Sequence, residues 1–223
     1  MDAIKNHHRF IIFLYWYTLI GLLVLSLLVS KSDVVLWINR NHSDFLDSFC
    51  KTITHLGEGW IFIPVLIYTL FIRYSLSLAT VSIVSVHGII CAVAKRVFFA
   101  DALRPTALIN HDLLYLVPGV AYHSNYSFPS GHTATIFCFT VFVSFLIRHR
   151  LAICFLLMIA LLVGYSRIYL LQHFLLDVTA GAFIGTLTAF SIAYLFDRND
   201  FPNWTKSRLA VGVSNKKLSL QTK

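Results

Sequence analysis

The chain has 223 residues, 57% of them hydrophobic and only 13% charged, with a mean hydropathy of +0.74. Soluble domains carry about 25% charged residues, and a membrane-crossing helix needs about 20 apolar ones, so the composition excludes an ordinary soluble domain and leaves room for several spans joined by short loops. The net charge of +8 is dispersed, without a charge run or an RNA-binding signature, which argues against a nucleic-acid partner and for basic loops beside apolar spans.

In chain order, residues 10–30 form the first expected span; the run has no small-x-small cleavage site and reads as an anchor rather than a leader. Residues 31–58 are more polar, with apolar positions at helical spacing, and predict an interfacial helix with Trp37 and Phe45 turned toward the bilayer. Residues 59–72 and 76–94 are spans two and three, split by Arg73-Tyr74-Ser75, with Arg73 snorkelling from the shorter one. An irregular region at 95–129 holds three of the five prolines. Spans four, five and six follow at 130–147, 151–166 and 174–196. The expected fold is an all-α bundle of six transmembrane helices, one membrane domain over 1–196, with a basic tail at 197–223. Cys50, Cys91, Cys138 and Cys154 show no CxxC pairing and read as small buried hydrophobes, not as disulfides or metal ligands.

Six spans put both termini on one side. With the termini inside, 11 of the 18 Lys and Arg fall on the inner face, and four of the other seven (Lys95, Arg96, Arg104, Arg167) belong to a candidate site. The positive-inside rule then makes the termini cytoplasmic and the loops after spans three and five extracytoplasmic.

Three stretches meet at that outer face: "KRVFFADALRP" from Lys95, "PSGHTAT" from Pro129 and "SRIYLLQHFLLD" from Ser166. Ser130, Gly131 and His132 open a helix, where unpaired N–H groups and the dipole favour an anion. Gly131 lets a ligand approach the backbone, the Ser130 hydroxyl adds a donor, and His132 can pass a proton. His173 and Asp177 are four apart on one helix face, so the carboxylate can hold one ring nitrogen and leave the other free to attack. Arg104 and Arg167 carry permanently charged forks suited to phosphate oxygens, and Lys95 or Arg96 supplies another cation. Together these groups suit phosphoryl transfer stabilised by fixed cations, with no metal or cofactor expected.

At these residues the sequence resembles the type 2 phosphatidic acid phosphatases, a family that shares its site with vanadium-dependent haloperoxidases. The family signature is Lys, six residues, Arg-Pro; then Pro-Ser-Gly-His; then Ser-Arg, five residues, His, three residues, Asp. The second part is complete at Pro129 to His132 and the third at Ser166, Arg167, His173 and Asp177. The first departs: eight residues separate Lys95 from Arg104 and seven separate Arg96 from it. Lys95 is the favoured match, with the intervening segment bulged, and Arg96 is the alternative.

The resemblance implies that His173 is a nucleophile forming a phosphohistidine and that Asp177 orients it. It implies that His132 is the general acid and then the base, and that Lys95, Arg104, Ser130, Gly131 and Arg167 hold the phosphate. The function it implies is hydrolysis of lipid phosphate monoesters or diphosphates; the short loops, by composition alone, point to a bacterial inner membrane. Polyprenyl diphosphates, phosphatidic acid, phosphatidylglycerol phosphate and lipid A phosphates are the candidates. The rival readings are a lipid phosphotransferase with the same intermediate, and a non-catalytic transporter or lipid-binding membrane protein.

Plainer roles compete at single positions. Arg104 and Arg167 can serve as interfacial anchors, and Asp177 as a helix-start carboxylate. His87, inside span three, reads as a structural hydrogen-bonding group, and Asp101 as a partner of Arg104 or Lys95 or a solvated charge. Tyr122, His123, Tyr126 and Phe128 read as loop packing.

Overall fold

Apolar residues on every face of the long helices set the architecture. The computed structural model describes residues 2–198, and every regular element among them is helical. In α1 (Asp2–Leu28), Ile11, Tyr15 and Leu19 recur every four residues and are fully buried against the bundle. Phe13, Tyr17, Leu27 and Leu28, on its other faces, are exposed. A helix that is apolar all round but covered by protein on one side only needs lipid against the rest.

By length and composition four helices suit a membrane crossing: Asn6–Leu28, Tyr74–Phe98, Arg150–Tyr169 and Leu175–Phe196. A fifth arises if Asp44–Gly57 and Gly59–Ile72, bent by 63° at their break, count as one segment. The chain is therefore an all-helical integral membrane protein. The expected count of six rests also on the runs at 59–72 and 130–147. These contain α4 (Phe62–Ile72), 11 residues long, and α7 (Gly131–Leu146), 16 residues long. The basic tail lies, from residue 199 on, outside the described residues.

The polar segment after α1 folds as two helices, α2 (Lys31–Arg40) and α3 (Asp44–Ile53), the second capped by the Ser43 side chain. Trp37 and Phe45 are exposed, while Asn39 and Asp47 turn inward. Asn39 exchanges two hydrogen bonds with the backbone of Tyr115, 2.8 Å each. Asp47 accepts from the hydroxyls of Tyr115 and Tyr169 at 2.7 and 2.5 Å. Buried polar groups need such partners, and here they pin α2 and α3 to the long loop and to the end of α8 (Arg150–Tyr169).

The bundle centre is the pair α7 and α9 (Leu175–Arg198). Their closeness comes from "GAFIG": a Cβ at Gly181 would stand 2.4 Å from the Ser130 carbonyl oxygen, and one at Gly185 2.2 Å from that of Ala134. Small residues four apart let membrane helices meet backbone to backbone. This contact holds the start of α7 against the start of α9, where the candidate site lies. Gly185→Val is expected to destabilise the protein by about 1–3 kcal/mol and to lower activity as the helices part. Thermal unfolding in detergent, read beside phosphate release, checks this.

The remaining long helix, α5 (Tyr74–Val93), follows α4 across one extended residue, Arg73, and the short α6 (Pro105–Leu108) sits in the long loop. His8, Arg73, Leu146 and Phe196 line one cavity, so the N-terminal arm, the α4–α5 turn and the ends of α7 and α9 share one end of the bundle. The candidate site occupies the other end. Cys50, Cys91 and Cys138 are buried and Cys154 is exposed; all four are free thiols. Cys154 thus departs from the expected burial because its face of α8 is turned outward.

Candidate active site

α5 does not end as an α-helix. Residues Ala94–Phe98 form a π-helical turn, closed by the Phe99 N–H on the Ala94 carbonyl at 2.9 Å. A π turn accommodates an extra residue in the helix and commonly marks a functional position. It supplies part of the bulge needed between Lys95 and Arg104. Lys95 Nζ donates to the Tyr126 carbonyl at 3.2 Å, and its charge acts on Arg104, Arg167, His132, His173 and Asp177. Arg96 is exposed and lines a cavity with Lys95 and Tyr126.

Arg104 precedes Pro105 at the start of α6. Its Nε donates to the Asn125 carbonyl at 3.0 Å and its Nη1 to Gln172 Oε1 at 2.5 Å, joining the long loop to the α8–α9 turn. Gln172 in turn donates to the Ala121 carbonyl. Asp101 is exposed, and no ion pair forms between it and Lys95 or Arg104 among the described residues, which leaves the solvated reading.

Ser130 caps α7. Its Oγ accepts from the Thr133 hydroxyl at 2.9 Å, leaving its own O–H to donate, and its N–H donates to the Asp177 carbonyl at 2.9 Å. A Cβ at Gly131 would meet nothing within 4 Å, so the backbone there is open to a ligand. His132 lies on the first turn, packed so closely on the short 3-10 helix Thr54–Gly57 that a Cβ at Gly57 would stand 2.7 Å from its own Cβ. His87 has Nδ1 2.8 Å from the Ile83 carbonyl and Nε2 3.1 Å from Thr135 Oγ1, which is the structural role expected for it. Phe128 packs edge-on against Phe99 and Tyr122 donates to the Val117 carbonyl, as loop-packing residues do.

The α8–α9 turn builds the other half. α8 closes with Leu171 N–H on the Ile168 carbonyl and Gln172 N–H on the Arg167 carbonyl, with Leu171 at φ 55°. Glycine usually takes that left-handed place. The strain of order 1–3 kcal/mol is offset because the Leu171 side chain is fully buried, worth about 1.5–3 kcal/mol. The sharp turn brings Arg167 and His173 together, and the His173 N–H also reaches the Arg167 carbonyl at 3.1 Å.

His173 and Asp177 are 1% and 6% exposed. Asp177 Oδ2 accepts from the Phe174 N–H at 2.9 Å and the Ser127 hydroxyl at 2.5 Å, and lies 3.6 Å from His173 Nδ1. The carboxylate thus acts as a helix-start group in α9 and faces an imidazole that precedes the helix, rather than sharing a helix face with it as the spacing suggested. Burial pushes the His173 pKa below its ordinary value, against the pull of Asp177, and so favours the neutral imidazole. Arg167 is 8% exposed; its Nη1 donates to Thr54 Oγ1 at 2.8 Å and its Nε has no partner.

Every sequence-predicted residue therefore gathers at one end of the bundle, with Lys95 rather than Arg96 turned toward the others. Sequence reasoning missed Ser127, Thr54 and Gln172, which hold Asp177, Arg167 and Arg104. Gln172, beside His173, and Ser127, a hydroxyl amid aromatics two residues before Pro129, were visible as polar outliers. Thr54 had no signal, since its partner is 113 residues away. Ser127→Ala removes a hydrogen bond to a charged acceptor, worth about 1.5–3 kcal/mol. Activity is expected to fall roughly ten- to a hundredfold with KM little changed, as steady-state kinetics would reveal.

Among the described residues no three His, Cys, Asp or Glu side chains group as metal ligands would. No Lys or Arg forms an ion pair within 4.0 Å there either. Lys95, Arg104 and Arg167 thus surround two histidines with Asp177 as the nearby carboxylate. Cations gathered without an ion pair are costly to withdraw from water, and a phosphate dianion would satisfy them.

The PAP2 superfamily is matched over residues 64–201. The chain is 30% identical over 171 residues to a lipid A 4'-phosphatase of Bacteroides thetaiotaomicron, covering 69% of this chain and 71% of that protein. It is 28% identical over 188 residues to an undecaprenyl-diphosphatase of Sulfolobus acidocaldarius, covering 79% and 88%. The crystal structure of Aquifex aeolicus LpxE superposes with a TM-score of 0.61 at 28% identity, over 73% of this chain and 93% of that one. A PAP2-type phosphatidylglycerolphosphate phosphatase from Bacillus subtilis gives 0.57 at 22% identity, over 91% and 100%, a likeness of fold.

Proposed function

Because the chain belongs to the PAP2 superfamily, we propose that it hydrolyses phosphate monoester or diphosphate groups of membrane lipids through a phosphohistidine. The observation that carries this is the cluster of Lys95, Arg104 and Arg167, none of them in an ion pair, beside the buried His173.

His173 Nδ1 faces Asp177, so Nε2 is the attacking atom. Nε2 bonds to phosphorus as the P–O bond to the lipid breaks, and His132 gives its proton to the departing oxygen. His132 then takes a proton from water, whose oxygen displaces His173 and releases inorganic phosphate. Lys95, Arg104, Arg167, the Ser130 hydroxyl and the Gly131 N–H stabilise the charge on the transferring group, without a metal ion.

We further read the fold as six spans with a cytoplasmic tail, 197–223, and α2–α3 at the membrane interface. The termini are cytoplasmic and the site extracytoplasmic, in a bacterial inner membrane. The phosphate then sits at headgroup level while the tails stay in the bilayer. The relatives point to lipid A phosphates, polyprenyl diphosphates and phosphatidylglycerol phosphate, with phosphatidic acid as a further candidate. The test is phosphate release from this panel in detergent with a chelator present. Release from at least one lipid, inhibited by vanadate, is expected. Transfer to an acceptor lipid without free phosphate would replace hydrolysis by transfer, and no reaction in either assay would contradict the proposal.

A further inference from the structure

Lys51, Thr54 and His55 face a cavity of about 320 Å³ that also takes in Arg167, Gln172 and the backbone at Gly119. Lys51 and His55 have no part in the chemistry above. Lys51 Nζ donates to the Pro118 carbonyl at 3.2 Å, which leaves two of its three donors. His55 Nδ1 lies 2.6 Å from Glu58 Oε1, so the carboxylate fixes the ring and leaves Nε2 for another partner. Arg167 faces the same space with its buried Nε unpartnered.

Position gives these groups a meaning. The short helix bearing Thr54 and His55 packs directly on His132, and His55 acts on it electrostatically. His132 stands where the leaving group departs. A group attached on the leaving side of the transferred phosphorus therefore lies next to this cavity.

We propose that Lys51 and His55 bind a second phosphate on the leaving side, so that the preferred substrate is a lipid diphosphate. This rests on the phosphatase reading above and narrows it. His173 Nε2 bonds to the terminal phosphorus while the bridging P–O bond breaks. The bonding electrons stay on the bridging oxygen, which becomes an oxygen of the lipid monophosphate product. That product's charge meets Lys51 and His55. A lipid monophosphate instead releases an alcohol, which depends on the proton from His132 and makes no use of Lys51.

The test compares kcat/KM of the full chain in detergent on a lipid diphosphate and a lipid monophosphate with the same tail. The wild type is expected to prefer the diphosphate at least about tenfold. Lys51→Gln keeps a donor for the Pro118 carbonyl but not the charge; it is expected to lower diphosphate turnover roughly tenfold, about 1.4 kcal/mol, with monophosphate turnover held within about twofold, and His55→Gln is expected to lower the diphosphate-to-monophosphate ratio in the same direction. Inorganic pyrophosphate should inhibit the wild type better than orthophosphate, and the variants should lose that difference. Equal losses on both lipids, or none, would overturn the inference. So would a wild type that prefers the monophosphate, with the phosphatase reading intact. A wild type inert on both lipids would sink the phosphatase reading itself and this inference with it.

Discussion

Replacing His173 by Ala is expected to reduce lipid-phosphate hydrolysis by about 10⁴-fold or more, since removing a nucleophile removes the whole covalent route. The same variant should insert and fold, because among the described residues the His173 Nδ1 has no hydrogen-bond partner and stands 3.6 Å from Asp177. The neutral ring also fixes a sign. With its pKa held below the ordinary value of about 6.5, the nucleophile stays unprotonated as the pH falls through that range. The acid limb of kcat/KM should therefore lie below pH ~6.5. Radiolabelled phosphate release in detergent, beside a size-exclusion profile, measures both parts. An Ala variant with ordinary turnover would remove His173 from the chemistry.

Arg167→Met is expected to separate activity from stability. Loss of one preorganised donor to the transferring phosphoryl group costs about 10²–10³-fold in kcat. Yet the guanidinium is buried, holds one neutral partner in Thr54 and leaves Nε unsatisfied. Replacing an uncompensated buried charge by an apolar chain of similar length is often neutral or stabilising, so Tm should stay level or rise while turnover collapses. Arg167→Lys should not rescue the rate, since an ammonium cannot reproduce the planar fork. A Met variant that unfolds would give Arg167 a structural role instead; one that keeps full activity would remove it from the phosphate cradle. Thermal unfolding and kinetics on the same preparations distinguish these.

The parts of the site that were legible in the sequence are those whose geometry is local. Ser130, Gly131 and His132 open one helix, so residue type and spacing already fix their relation; His173 and Asp177 were close in sequence, but His173 stands two residues ahead of Leu175, before α9 rather than on its face, and Asp177 faces it from the first turn. The first cation was ambiguous because its placement depends on the π turn at Ala94–Phe98. That turn is tied to a carbonyl at Tyr126, a residue at φ 60° with no marker in its side chain. Thr54 on Arg167 and Gly57 on His132 are meetings of distant segments and could not be read from spacing.

The fold shows the same division. All-helical architecture followed from apolar runs, but α2 and α3 hide Asn39 and Asp47, which composition alone assigns to a solvated face. "GAFIG" was readable as a close-packing motif, although only the coordinates show it facing Ser130 and Ala134. The short helices α4 and α7 expose the limit of hydropathy: an apolar run does not fix how many residues the helix will use.

The covalent step itself is open to direct observation. Rapid acid-free quenching of the enzyme with lipid substrate labelled at phosphorus should give a phosphoenzyme that is acid-labile and alkali-stable, with the label on His173 by peptide mapping. With a substrate whose leaving group needs no proton, it should accumulate in His132→Ala, where water activation is lost, and it should be absent from His173→Ala. A labelled residue other than His173, or turnover by the wild type with no phosphoenzyme at any quench time, would contradict the account.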